Sequence, residues 1–514
     1  MGYDVELDFA GTTYKWENQP AALLESFDLF TKSVPLRSAE LSVYFDFNIN
    51  DKLAEGFRLD ACECRILSNG VVEMAGLAND PQWGAQGDPV SFSVREIAFD
   101  TESTFPGPYD IEQVTVDYIA SREASKQRAL ENIMKNPYVG PGNYNVTVCD
   151  KKDLGSVPPV IIGHPGGFES NVNLIWPGSP AIFIDQTTGS EKLLLACHGV
   201  EPSGADVWIN GPKPNGTDRA TVTVTTQTET DLSGRTITTA DISGVPPGVF
   251  NLTGGTEDWY VSWVGGGLTT IPVNGLGPGA GDVLVALLNQ CFGLRIDQAR
   301  LNQIVPVLNR YQLAGFIDEQ VNPWKYAQEQ IIDLLPISPV NGPDGLYFAM
   351  WEPDAAAVDE MKETHRVHVS QNVAYEGMEI VNDLVLQYRY QADADTFQKV
   401  VEVNASNNAY ANLSQQHYGM RGQVIETALI DDEDTATSIA EWMLRAFAFP
   451  PRRISTTCDS DRYSGLRVGD NVKCNFPSLA INQAGMVCEI ERFGEPIMRV
   501  DLLIFDDPIR NGLV

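Results

Sequence analysis

Apolar residues recur at strand-like spacing through the N-terminal part of the chain. Segments such as VELDFAGTTYKW, AELSVYFDFNI and DPVSFSVREIAF alternate between apolar and polar residues or run apolar over the length of a strand. Turn-forming residues fall at Ser68-Asn69-Gly70 and Asn79-Asp80-Pro81. The pattern predicts a β-domain over residues 1–118.

A helical segment and a β-rich block follow. SREASKQRALENIMK predicts a helix over residues 121–135, so residues 119–150 form a helix and connector. Strand-like segments fill residues 151–272, where RATVTVTTQTETDLSGRTITTADI is typical of a hairpin with Ser233-Gly234 in its turn. Three interpretations stay open for this block. It is an insertion in the first β-domain, a continuation of it, or a barrel of its own.

Residues 273–362 predict an α+β domain rich in helix. Asp282 is a candidate N-cap for the apolar helix VLVALLNQCF. Asn322 followed by Pro323 is typical of the start of a second helix, which ends at Pro336. DGLYFAMWEP then predicts a strand over Leu346–Trp351, and AAAVDEMKETH predicts a further helical patch.

A long amphipathic helix is predicted over residues 434–449. Its apolar residues are spaced three and four apart and so share one face: Ile439, Trp442, Met443, Ala446 and Phe447. Asp434 is a candidate N-cap, and the acidic residues before it suit the positive end of the helix dipole. The helix ends at Pro450-Pro451.

Short strands with polar turns surround this helix. NDLVLQYRYQ precedes it and predicts the first strand of a barrel over residues 363–514. After the helix, Gly469-Asp470 makes a tight corner between strand-like Leu466–Val468 and Val472–Cys474. INQAGMVCEIERFGEPIMRVDLLIFDD then predicts a closing meander, and the spacing is typical of a small β-barrel.

This order of parts resembles the last domain of bacteriophage tail hub proteins, the baseplate-hub family of long-tailed phages. In that family a helix precedes a Gly-Asp corner, a valine strand and a closing meander. Upstream, GLANDPQWGAQGDPVSFSV resembles the first barrel of a hub, and the GLYF strand after Pro336 resembles its small central domain. The resemblance implies an α+β, mostly β fold with two small β-barrel hub domains, a β-rich insertion and an α-rich middle domain.

The same resemblance implies a structural virion protein at the tail tip and no enzyme. Three copies would close into a ring in which two barrels per chain give pseudo-sixfold symmetry. That homotrimer would meet the hexameric distal tail or tail tube protein on one side and tail-tip or central fibre proteins on the other, with the tape measure protein as a further partner. It would be assembled in the bacterial host cytoplasm, and DNA would pass through its lumen without specific binding once the domains shift.

Length and composition fit a large protein rich in β-structure. A chain of 514 residues predicts three or four domains. With 44 glycines, 31 prolines and 43% hydrophobic residues, the composition favours turn-rich β-structure with hydrophobic cores. No run approaches the roughly 18 apolar residues of a membrane span, and MGYDVELDFAGTTYKW lacks the parts of a signal peptide. We therefore expect neither a membrane span nor a secretory leader.

The charge balance excludes one class of function and allows two explanations. The chain has 35 basic and 69 acidic residues, a net charge of −34, whereas a binder of the nucleic-acid backbone needs clustered Lys and Arg. The general explanation is solubility or a halophilic or marine host. The specific one is a channel wall: three copies of a chain at −34 carry −102, and DNA in such a lumen would be repelled rather than held.

Eight cysteines occur, at positions 62, 64, 149, 197, 291, 458, 474 and 488. No pair has C-x-x-C spacing, and Cys62 and Cys64 lie on the same face of a predicted strand, which is poor geometry for a disulfide. Most of the others lie in apolar segments, so we expect buried thiols in a reducing compartment. The alternative is a ligand-binding cluster of Cys458, Cys474 and Cys488, although an iron–sulfur centre needs four ligands at family spacings.

No catalytic, cofactor-binding or metal-binding residue is predicted. His365 and His368 are three residues apart in a strand-like segment and so face opposite sides. The remaining histidines, His164, His198 and His417, belong to no known catalytic or metal motif. GLGPGAGD lacks the Lys-Ser/Thr of a phosphate loop and predicts a flexible joint. The acidic pairs Asp393/Asp395 and Asp459/Asp461 lack the EF-hand pattern and are expected in solvated turns.

A protein of another class is the alternative, namely a secreted carbohydrate-binding or carbohydrate-active β-protein. Its sugar platforms would be Trp208, Trp259, Tyr260 and Trp263. The lack of a signal peptide and of a paired-carboxylate motif counts against it. Mass in solution separates the two hypotheses, because a sugar-binding module can be monomeric whereas a hub trimerises or joins tail proteins.

Overall fold

The structure is a computed structural model, and it is mostly β. It describes residues 3–9, 12–19, 23–26, 32, 38–44, 49–56, 58–59, 62–68, 71–82, 89–96, 104–105, 159–163, 165–169, 174–176, 179–187, 190–196, 201–202, 206–210, 223–230, 236–243, 259–264, 268–270, 279–291, 295–342, 344–351, 356–365, 367–369, 374–375, 380–392, 395–492 and 496–505. The predicted helix over 121–135 lies outside these ranges. Elements are numbered in chain order within them.

The N-terminal segment contains seven strands and one short helix. They are β1 (Tyr3–Phe9), β2 (Thr12–Gln19), β3 (Leu23–Ser26), β4 (Ser38–Val43), α1 (Ile49–Ala54), β5 (Glu63–Ser68), β6 (Val71–Gln82) and β7 (Val90–Glu96). Six of the strands form one antiparallel sheet in the order β2-β1-β5-β6-β7-β4. The alternating pattern therefore predicted these strands correctly.

One face of this sheet encloses a core of its own. Along β1 every second residue is buried, and Val5, Leu7 and Phe9 pack with residues such as Ile66 and Phe92. The sheet curls so that β2 approaches the end of β4. A hydrogen bond links the two, in which Nε1 of Trp16 on β2 donates to the carbonyl oxygen of Tyr44, the residue after β4, at 2.8 Å. Among the described residues, β2 and β4 do not pair as strands, so the sheet is curled but not closed.

One predicted turn in this region is wrong. Asn79-Asp80-Pro81 lies inside β6, where the register with β7 shifts between Asn79 and Gln82. Asp80 adopts a φ of 51°, so the strand bulges here instead of reversing. Turn-forming residues are also the residues of bulges, and local sequence does not separate the two.

Residues 160–270 form a second group of strands. They are β8 (Val160–Ile162), β9 (Gly167–Glu169), β10 (Leu174–Trp176), β11 (Ser179–Thr187), β12 (Ser190–Ala196), β13 (Glu201–Pro202), β14 (Asp206–Asn210), β15 (Thr223–Thr230), β16 (Thr236–Ser243), β17 (Trp259–Val264) and β18 (Leu268–Thr270). Six of them form a sheet in the order β14-β17-β11-β12-β16-β15. The predicted hairpin is confirmed as the antiparallel pair β15 and β16. Its turn lies outside the described residues.

The middle segment contains the predicted helices. Its elements are α2 (Ala280–Leu288), α3 (Gln298–Leu308), β19 (Gly315–Ile317), α4 (Pro323–Ala327), a π-helical turn (Gln328–Ile332), β20 (Ile337–Gly342) and β21 (Gly345–Met350). Asn322 is confirmed as an N-cap, since its side chain accepts a hydrogen bond from the backbone of Lys325 at 2.8 Å. Asp282 is not one: α2 begins after Gly279, and Asp282 lies in its first turn.

The C-terminal segment completes the chain. Its elements are β22 (Asp359–Lys362), a 3-10 turn (Glu363–His365), β23 (His368–Val369), β24 (Ala374–Tyr375), β25 (Asp383–Gln391), β26 (Thr396–Val403), α5 (Ala409–Tyr418), β27 (Gly422–Glu426), α6 (Glu433–Phe447), β28 (Arg452–Asp459), β29 (Asn471–Phe476), a 3-10 turn (Pro477–Leu479), β30 (Ile481–Arg492) and β31 (Ile497–Ile504).

Eight strands of the chain meet in one large sheet. Its order is β22-β29-β30-β31-β28-β23, with β24 on β28 and β3 on β30. The helical patch predicted around Asp359–Lys362 is therefore wrong, because β22 pairs in parallel with β29. The pairing with β3 brings residues 23–26 beside residues 489–492. The sheet thus draws strands from outside residues 363–514, and the domain boundaries stay predictions.

NDLVLQYRYQ is a strand, as predicted, but it does not enter this large sheet. It is β25, the centre of a separate three-stranded sheet in the order β26-β25-β27. Its alternate residues Leu384, Leu386 and Tyr388 are buried in the large core cluster that also contains residues of α6. The local pattern predicted the strand but not its neighbours.

The long helix α6 agrees with its predicted face. Ile439, Trp442, Met443 and Ala446 are buried, and Phe447 packs against the same core. The N-cap is Asp432 and not Asp434, because the Asp432 carboxylate accepts a hydrogen bond from the backbone of Thr435 at 2.8 Å. With several acidic residues in a row, the sequence pattern alone does not say which one caps the helix.

The Gly-Asp corner locks the large sheet onto the middle segment. Gly469 has a φ of 89°, and its backbone N–H bonds the carbonyl of Val487 at 2.8 Å. The hydroxyl of Tyr347 on β21 donates to the carbonyl of Val468 at 2.9 Å. Only β29 is a strand here, since Leu466–Val468 is irregular, so half of the predicted strand pair is wrong. The corner is a docking point as well as a turn.

Replacing Gly469 with alanine should destabilise the protein. A Cβ at this position would lie 2.5 Å from the Cβ of Ala349, and the positive φ adds backbone strain, so we expect a loss of about 1–3 kcal/mol. Urea unfolding measures the loss. The matched control is Gly465→Ala, where a Cβ would meet nothing within 4 Å. Equal stability of the two variants would contradict the packing of the corner.

Candidate functional site

A buried lysine joins the N-terminal segment to the middle of the chain. Lys32 is 3% exposed. Its Nζ donates hydrogen bonds to the backbone carbonyl oxygens of Ile332 at 2.6 Å, Leu335 at 2.5 Å and Asp333 at 3.2 Å. These carbonyls end the helical run of α4 and its π-helical turn, where backbone acceptors lack intrahelical donors. A cation suits this negative end of the helix.

Trp442 of α6 completes the contact from the other side. Its Nε1 donates to the carbonyl oxygen of Leu334 at 2.9 Å, and its ring lies under the Lys32 ammonium, with Nζ 4.7 Å from the ring centroid. The carbonyls of Ile332–Leu335 are thus bound by one residue from the N-terminal segment and one from the C-terminal segment. A cation over an indole ring adds electrostatic attraction.

Further aromatic rings extend this contact into the C-terminal segment. The Trp351 ring lies 6.1 Å from that of Trp442 and 5.6 Å, edge-on, from that of Phe505. The guanidinium of Arg445 lies 5.8 Å from the Trp351 ring. We call Lys32, Leu334, Trp351, Trp442 and Phe505 the junction cluster. It ties together four parts of the chain that are distant in sequence.

Local sequence explains the open end of the helical run. The backbone of Asp333 bonds the carbonyl of Gln328, which widens the helix into a π-turn, and Pro336 has no N–H with which to continue it. The run therefore stops with several carbonyls unpaired by the helix itself. Such carbonyls need donors from elsewhere when they are buried.

Burial sets the electrostatics of the junction. Desolvation lowers the pKa of Lys32 from 10.5 to about 7, opposed by the nearby Asp333. Burial also raises the pKa of the Asp333 carboxyl, while a hydrogen bond from Gln328 opposes that shift. Lys32 is therefore the charged group of the junction most sensitive to pH near neutrality.

An ion-pair network lies on the large sheet. The carboxylate of Asp501 is 1% exposed and accepts hydrogen bonds from Arg453 at 2.9 Å and from Arg499 at 3.1 Å. Arg453 also bonds Glu489, the residue whose backbone pairs with Ser26 of β3. Nothing in the local sequence distinguishes these residues, or Lys32, from surface charges.

Five of the six described cysteines are buried thiols, and Cys62 is partly exposed. Burial raises the pKa of both Cys458 and Cys474 to about 12, so both stay protonated at neutral pH. The Cys488 thiol lies 3.3 Å from the carbonyl oxygen of Asp501, and Cys64 and Cys291 are also buried. Across the described ranges no group of three or more His, Cys, Asp or Glu is arranged to hold a metal ion. Cys149 and Cys197 lie outside those ranges.

Among the described residues, the histidines and acidic pairs form no group of three or more that could hold a metal ion. His365 lies 3.5 Å from the Tyr463 hydroxyl, His368 is exposed on β23, and His417 is exposed on α5. Asp395 accepts a hydrogen bond from Tyr390, and Asp459 caps a turn through the backbone of Asp461 and Arg462. His164, His198 and Asp393 lie outside the described residues.

The aromatic residues suggested as sugar platforms lie on neighbouring strands. In the antiparallel pair β14 and β17, Trp208 is opposite Ser262 and Trp263 is opposite Val207. The strand pairing itself selects no ligand.

In the part of the chain that the structure describes, no helix is both long and apolar enough to cross a membrane. This finding concerns helices alone.

The chain is similar in structure to solved proteins at low sequence identity. No protein-family model matches the chain, and no curated protein matches it. A tail protein from Neisseria meningitidis MC58 aligns with a TM-score of 0.41 and 10% identity, covering 99% of this chain and 98% of its own. The 43 kDa tail protein of prophage MuSo2 from Shewanella oneidensis aligns at 0.34 with 8% identity, covering 98% and 100%.

A third similar structure belongs to the virion of a native gene transfer agent. It has a TM-score of 0.37 and 13% identity, and the match covers 77% of this chain and 93% of that chain. Solved structures similar to this chain thus include phage tail, baseplate and virion proteins.

The pKa of Lys32 predicts a specific pH dependence of stability. Because its folded-state pKa is near 7 and its ordinary value is 10.5, the unfolded chain binds more protons between these values. The contribution of Lys32 to the free energy of unfolding should therefore rise as pH increases from about 7 to about 10. Lys32→Met should flatten this part of the curve, as measured by urea unfolding at several pH values.

The matched control is Lys325→Met, which removes a lysine whose side chain is 73% exposed in an ion pair with Glu329. The slope of stability against pH should be unchanged in this variant. A wild-type slope in Lys32→Met would contradict the desolvated environment of Lys32. Comparing slopes separates the proton linkage from the general loss of stability that follows removal of the three hydrogen bonds.

Proposed function

We propose that this chain is the hub protein of a phage tail, a structural component of the virion at the tail tip. The observation that carries the proposal is the pairing of β3 with β30, secured nearby by Lys32. This pairing fixes the N-terminal segment, with its curled six-stranded sheet, to the eight-stranded C-terminal sheet. The chain thus passes from the six-stranded sheet into the eight-stranded sheet and back, because β3 lies between β2 and β4 in the sequence and pairs with β30.

Two linked sheets in one chain suit a ring that must match sixfold symmetry. Three copies of such a chain present six barrel-like units around an axis, which is the geometry needed to meet a hexameric neighbour. We infer that this neighbour is the distal tail or tail tube protein. Tail-tip or central fibre proteins and the tape measure protein would contact the other parts of the ring.

The parts that motivated the hub resemblance are folded elements. Helix α6 precedes the Gly-Asp corner, the corner precedes β29, and β30 and β31 form the closing meander. The corner and the strand after Pro336 contact each other through Tyr347 and Val468. These contacts support a hub because they make the middle segment and the large sheet one packed unit.

The charge of the chain suits a passage for DNA. A trimer would carry −102, and DNA would be repelled by a wall of the same sign instead of binding to it. Opening of the lumen would require relative movement of the sheets, so the junction cluster is the place where such a movement would break contacts. The ring would thus join the tail to its tip and gate the passage of DNA.

The mass of the purified chain tests this proposal. Light scattering, alone and after mixing with the tail tube or distal tail protein of the same phage, should give three times the chain mass or a complex of three chains on six neighbours. A monomer that ignores tail proteins would contradict the hub. The carbohydrate-binding alternative would then be tested by glycan screens with Trp208 and Trp263 substituted.

Disrupting the α6 face should block virion assembly. In the double variant Trp442→Asp, Phe447→Asp, two carboxylates face the aromatic junction, and the bond to Leu334 is lost. Complementation of a phage lacking the gene, scored by electron microscopy and plaque counts, should yield no tailed infectious particles. The control Glu441→Ala changes an exposed residue of the same helix and should assemble normally. Infectious particles from the double variant would refute the role of this helix.

A further inference from the structure

The small sheet β26-β25-β27 has an open edge that the proposed ring does not account for. Within the described residues, β27 pairs with β25 on one side and with no strand on the other. Four of its five residues are exposed, and the exposed run continues back through residues 416–421. This edge is therefore accessible along its length in the single chain.

The free backbone groups of β27 can be assigned from its hydrogen bonds. Asp383 on β25 donates its N–H to the carbonyl of Arg421, and Thr427 donates its N–H to the carbonyl of Gln387. In a parallel ladder, alternate residues face the neighbouring strand, so Gly422, Val424 and Glu426 direct their N–H and C=O groups outward. Three residues thus offer a ready pairing edge.

The edge lacks several of the features by which proteins protect such strands, although β27 is short and ends in the charged Glu426. Lysine, proline, bulges and covering loops usually prevent pairing with another chain. Here the exposed residues include Val424 at 59% and Met420 at 69%, and β27 contains neither lysine nor proline. An exposed apolar edge strand is the surface used when a partner adds a strand to a sheet.

The outer face of the same sheet is acidic, which favours a basic partner. Strand register places Asp383, Val385 and Gln387 of β25 on the face opposite its buried residues, with Val424 and Glu426 beside them on β27. On β26, Glu402 and Val400 occupy the same face, and Val400 is 50% exposed. The face combines valines with three carboxylates, and a second copy of a chain with net charge −34 would meet it with like charge.

We propose that β27 binds an extended segment of another protein in which apolar and basic side chains alternate. The segment adds as a fourth strand, pairs with the outward groups of Gly422, Val424 and Glu426, and places its basic side chains over the acidic face. This inference goes beyond the hub proposal, because it names a binding edge and the chemistry of the segment that occupies it. If β27 binds no such segment, the mass expected for the proposed trimeric ring stays the same.

The test is a titration of the full-length protein with a labelled nine-residue peptide of alternating valine and lysine, followed by fluorescence anisotropy. Binding should weaken about tenfold or more when glutamate replaces lysine in the peptide, and when alternate peptide nitrogens facing β27 are methylated. These comparisons use the unaltered protein and so do not depend on the folding of a variant.

Protein variants then locate the binding edge. Val424→Pro removes an outward N–H without removing a bond to β25, and should weaken binding about tenfold. Val424→Thr keeps the N–H and the branched shape and should bind as the wild-type protein does. The proposal is overturned by absence of binding, by equal binding of the methylated peptide, or by self-association that Val424→Pro abolishes, which would make a second copy the occupant.

Discussion

The burial of one ammonium group at the end of a helical run is the constraint on which the arrangement of the chain depends. Buried carbonyls without donors are costly, and so is a buried cation without acceptors. The carbonyls of residues 332–335 accept hydrogen bonds from these donors: the Lys32 ammonium binds three of them, and the indole N–H of Trp442 binds the fourth. Separating these segments would leave the ammonium without these acceptors and would remove the side-chain donors of the four carbonyls, of which that of Leu335 keeps a bond from the backbone N–H of Ile337.

Around this contact the middle and C-terminal segments share one continuous core, whereas the first sheet has its own. β3 and Lys32 connect the N-terminal segment to the rest of the chain. These contacts involve fewer residues than a shared core would. In the proposed hub, such a division would let one sheet move relative to the rest while each core stays packed. Motion concentrates where few contacts must break, and each core stays intact.

The described thiols fit the same structural interpretation. Burial raises the pKa of the Cys458 and Cys474 thiols to about 12, and a thiol that is protonated at neutral pH is a poor nucleophile. Their environments are the apolar interiors of strands, so they act as small packing residues. The exposed features of the chain, in contrast, are an open edge strand and a strong negative charge, and both concern contacts with other molecules.

The sequence by itself determined the elements: alternation predicted the strands, the spacing of three and four predicted α6, and Asn322 predicted the start of α4. These patterns succeed because they depend on residues a few positions apart. Only the tertiary structure decided which strands pair, so β22 replaced an expected helix and β25 entered a separate sheet. The partners of Lys32, about 300 residues away, follow from burial and chain topology, and no local pattern contains that information.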